Sequence, residues 1–506
     1  MATRPSPIRS RSVLLAAAGI ALAAALVLWT NFDMPLVRNG VTYARTTQAI
    51  VDSGFNPLPV IADSSKLFGR PIGFPLVASP FAHWMGVNRG LKAASFVTTL
   101  LFLFVSCLFL ARMRRRLGLE SSIDWVDLVL LTFNPLVVYQ FWSAHPDALF
   151  STTFLLSLLL ADRLADASGP KQLLLAGALA AAMYASIELK YYGAILLVAV
   201  PAYCAVRSKG PVSRLALPGL AALVPLLLVA AGLAGVNPTL NLGTVSGLRR
   251  YEMAFSDSGT LGLYVTGSVA QIAVFLLVVF SVTFIYFFRR PKLTRPVLAL
   301  ALVVALFVAG LLPFRGTGYN MRYFLPILPI LILVVREGMR ASTGRAARLV
   351  LPVFMLLQAV PVLNYNTRFV YEVLSPINVA AESLRYPGTR RVMSVFDSLR
   401  MGHHVAAQEV VEFIDRDLPP GGTLYLVTDY YGEAAHGFYE ELGLIRRHDV
   451  DVRYVPTLRK LRQERREPPF YVCARCEEVL LAKSVDEVSR RLGREVRPVG
   501  RVFRVE

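Results

Sequence analysis

Charge is scarce in this 506-residue chain: 17% of its residues are Asp, Glu, Lys or Arg, against about 25% in soluble domains. Acids are the scarcer half, 34 against 53 basic residues, and just 13 precede residue 364. Cysteine is nearly missing. Cys107 and Cys204 fall in apolar runs and read as small core residues. Cys473 and Cys476 form a lone CARC that lacks the second half of a zinc site. That pair reads as inert or disulfide-bonded structure, with redox or metal function as the alternative. Gly-rich phosphate loops, zinc-ligand arrays and basic-aromatic RNA motifs are absent, which leaves nothing to support a nucleic-acid partner.

What the chain has instead is hydrocarbon. It is 55% hydrophobic, and its apolar runs repeatedly reach the roughly 17–25 residues that cross a bilayer as a helix. Eleven spans are expected, near 13–30, 91–111, 124–141, 147–162, 172–188, 191–206, 214–235, 263–288, 297–313, 320–336 and 347–364. The first follows Arg4, Arg9 and Arg11 like a signal peptide, but LVLWTNFDMPL offers no small-residue cleavage pattern. It reads as a retained span that starts in the cytoplasm.

Loop charges orient the chain. With the N-terminus inside, the cytoplasmic segments hold 20 Lys and Arg, and the opposite side holds 11, six of them in one long loop. Residues 365–506 then lie outside. This tail carries 22 basic and 21 acidic residues, whereas the preceding part carries 31 and 13, so the net charge of +19 follows from the positive-inside rule and anionic lipid.

Topology also sorts the acids. Glu120, Asp124, Asp127, Asp162, Asp166 and Glu337 fall at cytoplasmic span ends, where solvation accounts for them. Asp33, Asp52, Asp63, Asp147, Glu188, Glu252 and Asp257 face outward and are nearly the whole supply for acid-base work there. The outer loop 31–90 does not look like a passive connector, since connections of this length without function are uncommon. It predicts a helix over VTYARTTQAIVDSG that Gly54 stops, then a proline-broken, aromatic FGRPIGFPLVASPFAHWMG suited to a short helix along the outer leaflet. The plainer alternative is an amphipathic strut between spans.

The tail, residues 365–506, reads as a small α/β domain. GTLYLVTD and VDVRYVP predict strands around a helical YYGEAAHGFYEELG, and FYVCAR and GRVFRVE predict later strands. Asp429, Tyr430 and Tyr431 end a strand, a place for ligand contacts or plain scaffold. RKLRQERREPP reads as a solvated helix face.

Four segments carry a family resemblance in order. NGVTYARTTQAIVDSGFNP with RPIGFPLVASP, HPDALFSTTFLLSLLLADRL, ASIELKYYGAILLVAVPAY and RYFLPILPILIL resemble the C-type glycosyltransferases (GT-C fold). Within these they are nearest the family 39-like protein O-mannosyltransferases and lipid A aminoarabinose transferases. The resemblance frames residues 31–336. It implies a polytopic α-helical membrane enzyme with a 1–364 GT-C-like domain and an extracytoplasmic tail, in the cytoplasmic (inner) membrane. The Ala/Leu/Arg bias fits a GC-rich bacterium. The implied donor is a polyprenyl-phosphate sugar and the acceptor a lipid, glycan or protein.

Such transfer needs a base for the acceptor hydroxyl and cations for the leaving phosphate, where charge develops. Lys190, Arg322 and Arg315 are the outward cations near span ends, and Tyr323 adjoins Arg322. The family's matching lysine favours Lys190 on the donor phosphate; a boundary salt bridge with Glu188 is the bland reading. Arg322 beside Tyr323 is a second phosphate ligand or a side chain snorkelling to headgroups. Asp147 follows Pro146 and suits a helix start. The resemblance adds that it orients the acceptor, positions a cation or binds a metal. Aspartates with His145 can hold a divalent ion, but no cofactor is assigned. The family places its catalytic aspartate where this chain has Asn39, and an amide accepts no proton at neutral pH. Asp33 is the nearest substitute as catalytic base, with Asp52 and Asp63 as alternatives. Two rival readings stand: a catalytically silent GT-C-like assembly subunit, and a transporter or flippase, which would need acids at span centres.

Overall fold

The computed structural model describes residues 7–37, 39–63, 71–118, 122–207, 216–231, 294–311, 321–341, 345–374, 376–377, 400–427, 444–445, 447–455, 458–463, 467–474, 485–500 and 502–506. Helix dominates the described residues up to 377. α1 (Pro7–Asn31) is an Ala/Leu run whose Leu14, Leu15, Leu22, Leu26 and Trp29 are exposed, as lipid-facing side chains are. In the outer loop follow α2 (Asn39–Asp52), α3 (Leu58–Ala62) and α4 (Gly73–Met85); α2 and α4 stand at the two places where the sequence predicts helix, and the short α3 between them is not predicted. Gly54, at φ +66°, stands just past the end of α2.

The bundle continues with α5 (Val87–Arg116), α6 (Trp125–Thr132), α7 (Pro135–Gln140), α8 (Asp147–Leu164), α9 (Pro170–Leu189), α10 (Leu196–Arg207), α11 (Ala216–Ala231), α12 (Arg295–Leu311), α13 (Leu328–Ala341) and α14 (Arg345–Asn366). Among the described residues, three helices are long and apolar enough to cross a membrane: Val13–Asn31, Val87–Arg116 and Pro170–Leu189. The expected span 263–288 lies outside the described residues, as do Glu120, Glu252, Asp257 and Arg315. The expected span 124–141 is two helices rather than one. Pro135 lacks an N–H and disfavours helical backbone at Asn134, so the chain breaks there. The expected spans at 191–206 and 320–336 open with tight 3-10 turns, Tyr191–Ile195 and Met321–Ile327.

Solvation does not account for Asp127 and Asp162; both side chains are fully buried and paired. Asp127 caps α6 reciprocally with Asp124 and also takes Arg114 Nη1 at 2.6 Å and Arg336 Nε at 2.9 Å. Asp162 gathers Arg112 at 2.6 Å, Arg116 at 3.1 Å, Arg207 at 2.6 Å and the Tyr203 hydroxyl at 3.3 Å. A carboxylate taken out of water needs such partners.

In the tail, α15 (Arg368–Val373) and α16 (Arg400–Arg416) precede a five-stranded sheet in the order β2-β1-β3-β5-β4. Its strands are β1 (Thr423–Val427), β2 (Asp451–Val455), β3 (Phe470–Ala474), β4 (Val496–Val499) and β5 (Val502–Val505). β1 runs parallel to β2 and β3, while β5 is antiparallel to β3 and β4. Four of these strands match the sequence reading. β4, hairpinned to β5 about Gly500 (φ +60°), was not anticipated. Ala407, Val410 and Ile414 of α16 pack on one sheet face together with Val37 of the outer loop. α17 (Leu458–Gln463) and α18 (Val485–Leu492) pack on the other. In α17, Leu458 and Leu461 are buried while Arg459, Lys460 and Arg462 are exposed, as expected of the charge run. Cys473 is disulfide-bonded, and Cys107 and Cys204 are free. Asp429, Tyr430, Tyr431 and the helix expected beside them lie outside the described residues.

Candidate functional site

Three helix starts and ends bring the site together. α8 begins at Asp147, where the partial positive charge of the helix N-terminus favours a carboxylate. The approach to it, Phe141–Pro146, carries Ala144 at φ +54°, a left-handed conformation rare for alanine that persists only where packing enforces it. Ala144 is fully buried, and the next backbone N–H, that of His145, donates to Ser95 Oγ of α5 at 3.2 Å.

α9 ends at Lys190, whose own N–H closes on Ser186 O at 3.0 Å. The Ser186 hydroxyl donates to Thr153 of α8 at 2.9 Å, tying the two helices one turn below. The chain then turns back so tightly that a Cβ at Gly193 would stand 2.5 Å from Ser186 O. The third element is the 3-10 turn carrying Arg322 and Tyr323.

These elements meet in a buried cluster. Lys190 Nζ donates to Asp147 Oδ1 at 2.7 Å, and Arg322 Nε lies 3.5 Å from Asp147 Oδ2. Asp147 is 1% exposed, Arg322 2% and Lys190 8%. The ammonium also stands 4.8 Å from the Tyr323 ring centroid and 5.4 Å from that of Tyr192, and the Arg322 guanidinium lies 5.6 Å from Tyr323. Two cations thus share one carboxylate between aromatic faces, an arrangement that can hold an anionic group.

Outer-loop helices lie against this cluster. Tyr43 of α2 meets His145 edge-on at 6.4 Å and Phe74 of α4 at 5.6 Å. A Cβ at Gly73 would sit 2.7 Å from Glu188 O, so α4 touches the last turn of α9 two residues before Lys190. Gly73→Ala is therefore expected to cost about 1–3 kcal/mol of stability, read as a lowered unfolding temperature. Gly177→Ala, exposed on α9 with open space around it, should match wild type or gain up to about 1 kcal/mol.

Of the residues the sequence proposed, Asp147, Lys190, Arg322 and Tyr323 come together. Asp33 stands apart, in an exposed ion pair with Arg89 at 2.7 Å (73% and 53% side-chain exposure). Asp52 is exposed and accepts from Gln48 at 2.6 Å; Asp63 follows α3. Asn39 is the first residue of α2. Sequence reasoning missed Tyr192, although its place in KYYGAI two residues after Lys190 was visible. It also counted Lys92 only among the 11 outward basic residues. Lys92 is fully buried on α5, and its ammonium donates to the carbonyls of Asn31 and Phe32, each at 2.9 Å, and of Met34. No group of three or more metal-ligand side chains gathers among the described residues.

No protein-family model matches the chain, and no curated protein matches it. A solved structure does. The crystal structure of ArnT from Cupriavidus metallidurans bound to undecaprenyl phosphate aligns over 97% of this chain and 97% of its own, with TM-score 0.51 and 16% identity. ArnT is the lipid A aminoarabinose transferase, a GT-C protein. This chain has the GT-C fold. The apo structure of the same ArnT aligns over 98% of each chain at 16% identity, with TM-score 0.48. The GT-C resemblance carried by the four motifs is thereby borne out, and the alignment extends beyond residues 31–336 into the tail.

Proposed function

We propose that this chain is a membrane glycosyltransferase that moves a sugar from a polyprenyl-phosphate carrier to a lipid, glycan or protein acceptor. The transfer takes place on the outer face of a bacterial cytoplasmic membrane, which the chain crosses eleven times with residues 365–506 outside. One observation carries the reading: Lys190 and Arg322 converge on buried Asp147 between Tyr192 and Tyr323. It is supported by a fold shared with a protein solved with undecaprenyl phosphate bound.

In this reading Lys190 and Arg322, flanked by Tyr323, bind the donor phosphate, and Asp147 holds both cations in place. As the acceptor oxygen bonds to the anomeric carbon, the bond from that carbon to the phosphate oxygen breaks. The polyprenyl phosphate leaves with the added charge, which the two fixed cations stabilise. The acceptor's proton goes to a carboxylate on the outer rim. Asp33 is the first assignment, and Asp52 and Asp63 are the alternatives, since Asn39 cannot serve.

The test is transfer by purified full-length protein in nanodiscs, offered several polyprenyl-phosphate sugars and acceptors. Asp33→Asn is expected to lower the transfer rate about 10²–10⁴-fold. It should leave affinity for undecaprenyl phosphate unchanged, because Asp33 lies outside the cation cluster. A wild-type rate in that variant moves the base to Asp52 or Asp63. Asn39 also favours a second reading, a silent assembly subunit, which predicts undecaprenyl phosphate binding with no transfer for any sugar offered.

A further inference from the structure

The HPD turn is gripped from behind by the tail. His404, on α16, is 1% exposed, and its Nδ1 lies 2.8 Å from Pro35 O. A carbonyl only accepts, so Nδ1 carries the proton. In the neutral ring Nε2 is then an acceptor, and it faces the Tyr139 hydroxyl at 3.4 Å. The imidazole also packs on Trp142 with centroids 4.6 Å apart. Met401 and Val405, on the same side of α16, complete an apolar cluster with Met34, Tyr139, Trp142 and Tyr371. Trp142 is fixed a second time, its Nε1–H donating to Asn366 Oδ1 at 2.9 Å.

Tyr139 and Trp142 begin the segment that ends at Asp147, and the Tyr139 ring is 6.2 Å from His145. Between them stands Ala144 in its left-handed conformation. Such backbone holds only while its flanks are fixed, and one flank is fixed by a residue more than 250 positions away.

We infer that His404 is a positioning residue. Through Tyr139 and Trp142 it sets the turn that delivers Asp147 to Lys190 and Arg322, so the tail domain governs the geometry of the cation cluster. The inference rests on reading that cluster as the donor-phosphate site. It gives the tail a role beyond scaffold: whatever displaces α16 loosens the grip on the donor.

Hydrogen exchange and binding of undecaprenyl phosphate test it, both on the full-length protein in nanodiscs. His404→Ala is expected to speed exchange across residues 139–147 and to weaken undecaprenyl phosphate binding, each about tenfold, as one lost hydrogen bond with its packing warrants. His404→Asn keeps an N–H for Pro35 O and should recover most of both, which a generally destabilised protein would not do. Unchanged exchange at 139–147 in His404→Ala overturns the inference whatever the ligand. So does faster exchange with wild-type affinity. If wild type itself binds no undecaprenyl phosphate, the donor-site reading fails, and the exchange data alone decide whether His404 holds the turn.

Discussion

Lys190→Met is expected to lower the transfer rate about 10²–10³-fold. It should also cost stability, though less than the roughly 3–5 kcal/mol of a fully broken buried pair, because Arg322 stays 3.5 Å from Asp147. The methionine fills the space, so the loss is one of charge: Asp147 loses its 2.7 Å partner while staying buried. On the catalytic side, removing a fixed donor opposite developing charge costs about 10²–10³ in rate. The triple change Lys190→Met, Asp147→Leu and Arg322→Met separates the two effects. With both cations and their shared carboxylate gone the desolvation penalty is gone too, so the unfolding temperature should return most of the way while transfer stays low. Transfer at the wild-type rate in Lys190→Met would remove the phosphate assignment.

Asp162→Asn is expected to destabilise the bundle at least as strongly without touching the outer cluster. Its carboxylate is fully buried and shared by Arg112, Arg116 and Arg207. Neutralising it leaves three guanidinium groups around an amide, and the loss of one buried charge of this kind costs about 3–5 kcal/mol. Asp166 touches the same three arginines but is 41% exposed, so Asp166→Asn should cost no more than about 1 kcal/mol. Thermal unfolding of the two variants side by side reads the contrast. Equal losses would show that burial does not set the scale here.

These two clusters show where sequence stops being informative. Asp147 was found because the expected topology left so few outward acids, and Lys190 and Arg322 because they were expected at outward span ends. Local pattern supplies those facts. The split of 124–141 was also written locally, in Pro135, though the hydrophobic run masks it. The pairs of Asp127 and Asp162 were not legible: Arg336 meets Asp127 across 209 positions, and a carboxylate at a span end looks alike whether water or arginine satisfies it. Lys92 and His404 share that fate, because each is polar in an ordinary-looking stretch and its partners come from a distant segment. Strands β1, β2, β3 and β5 declared themselves by composition, whereas β4, with Pro498 in it, did not.

The Lys92 ammonium has a mechanical consequence. It draws in carbonyls from the last residue of α1 and from the chain just beyond, and so fastens the Asn31 end of α1 to the first turns of α5. The rest of α1 is hardly covered, with Leu14, Leu15, Leu22, Leu26 and Trp29 all exposed. In a bilayer thicker or thinner than its length, α1 is expected to adapt by tilting about that fastened end, so that the mismatch is taken up at its Pro7 end. The loop that follows, and with it the depth of the site, is then expected to keep its level as the thickness of the lipid changes.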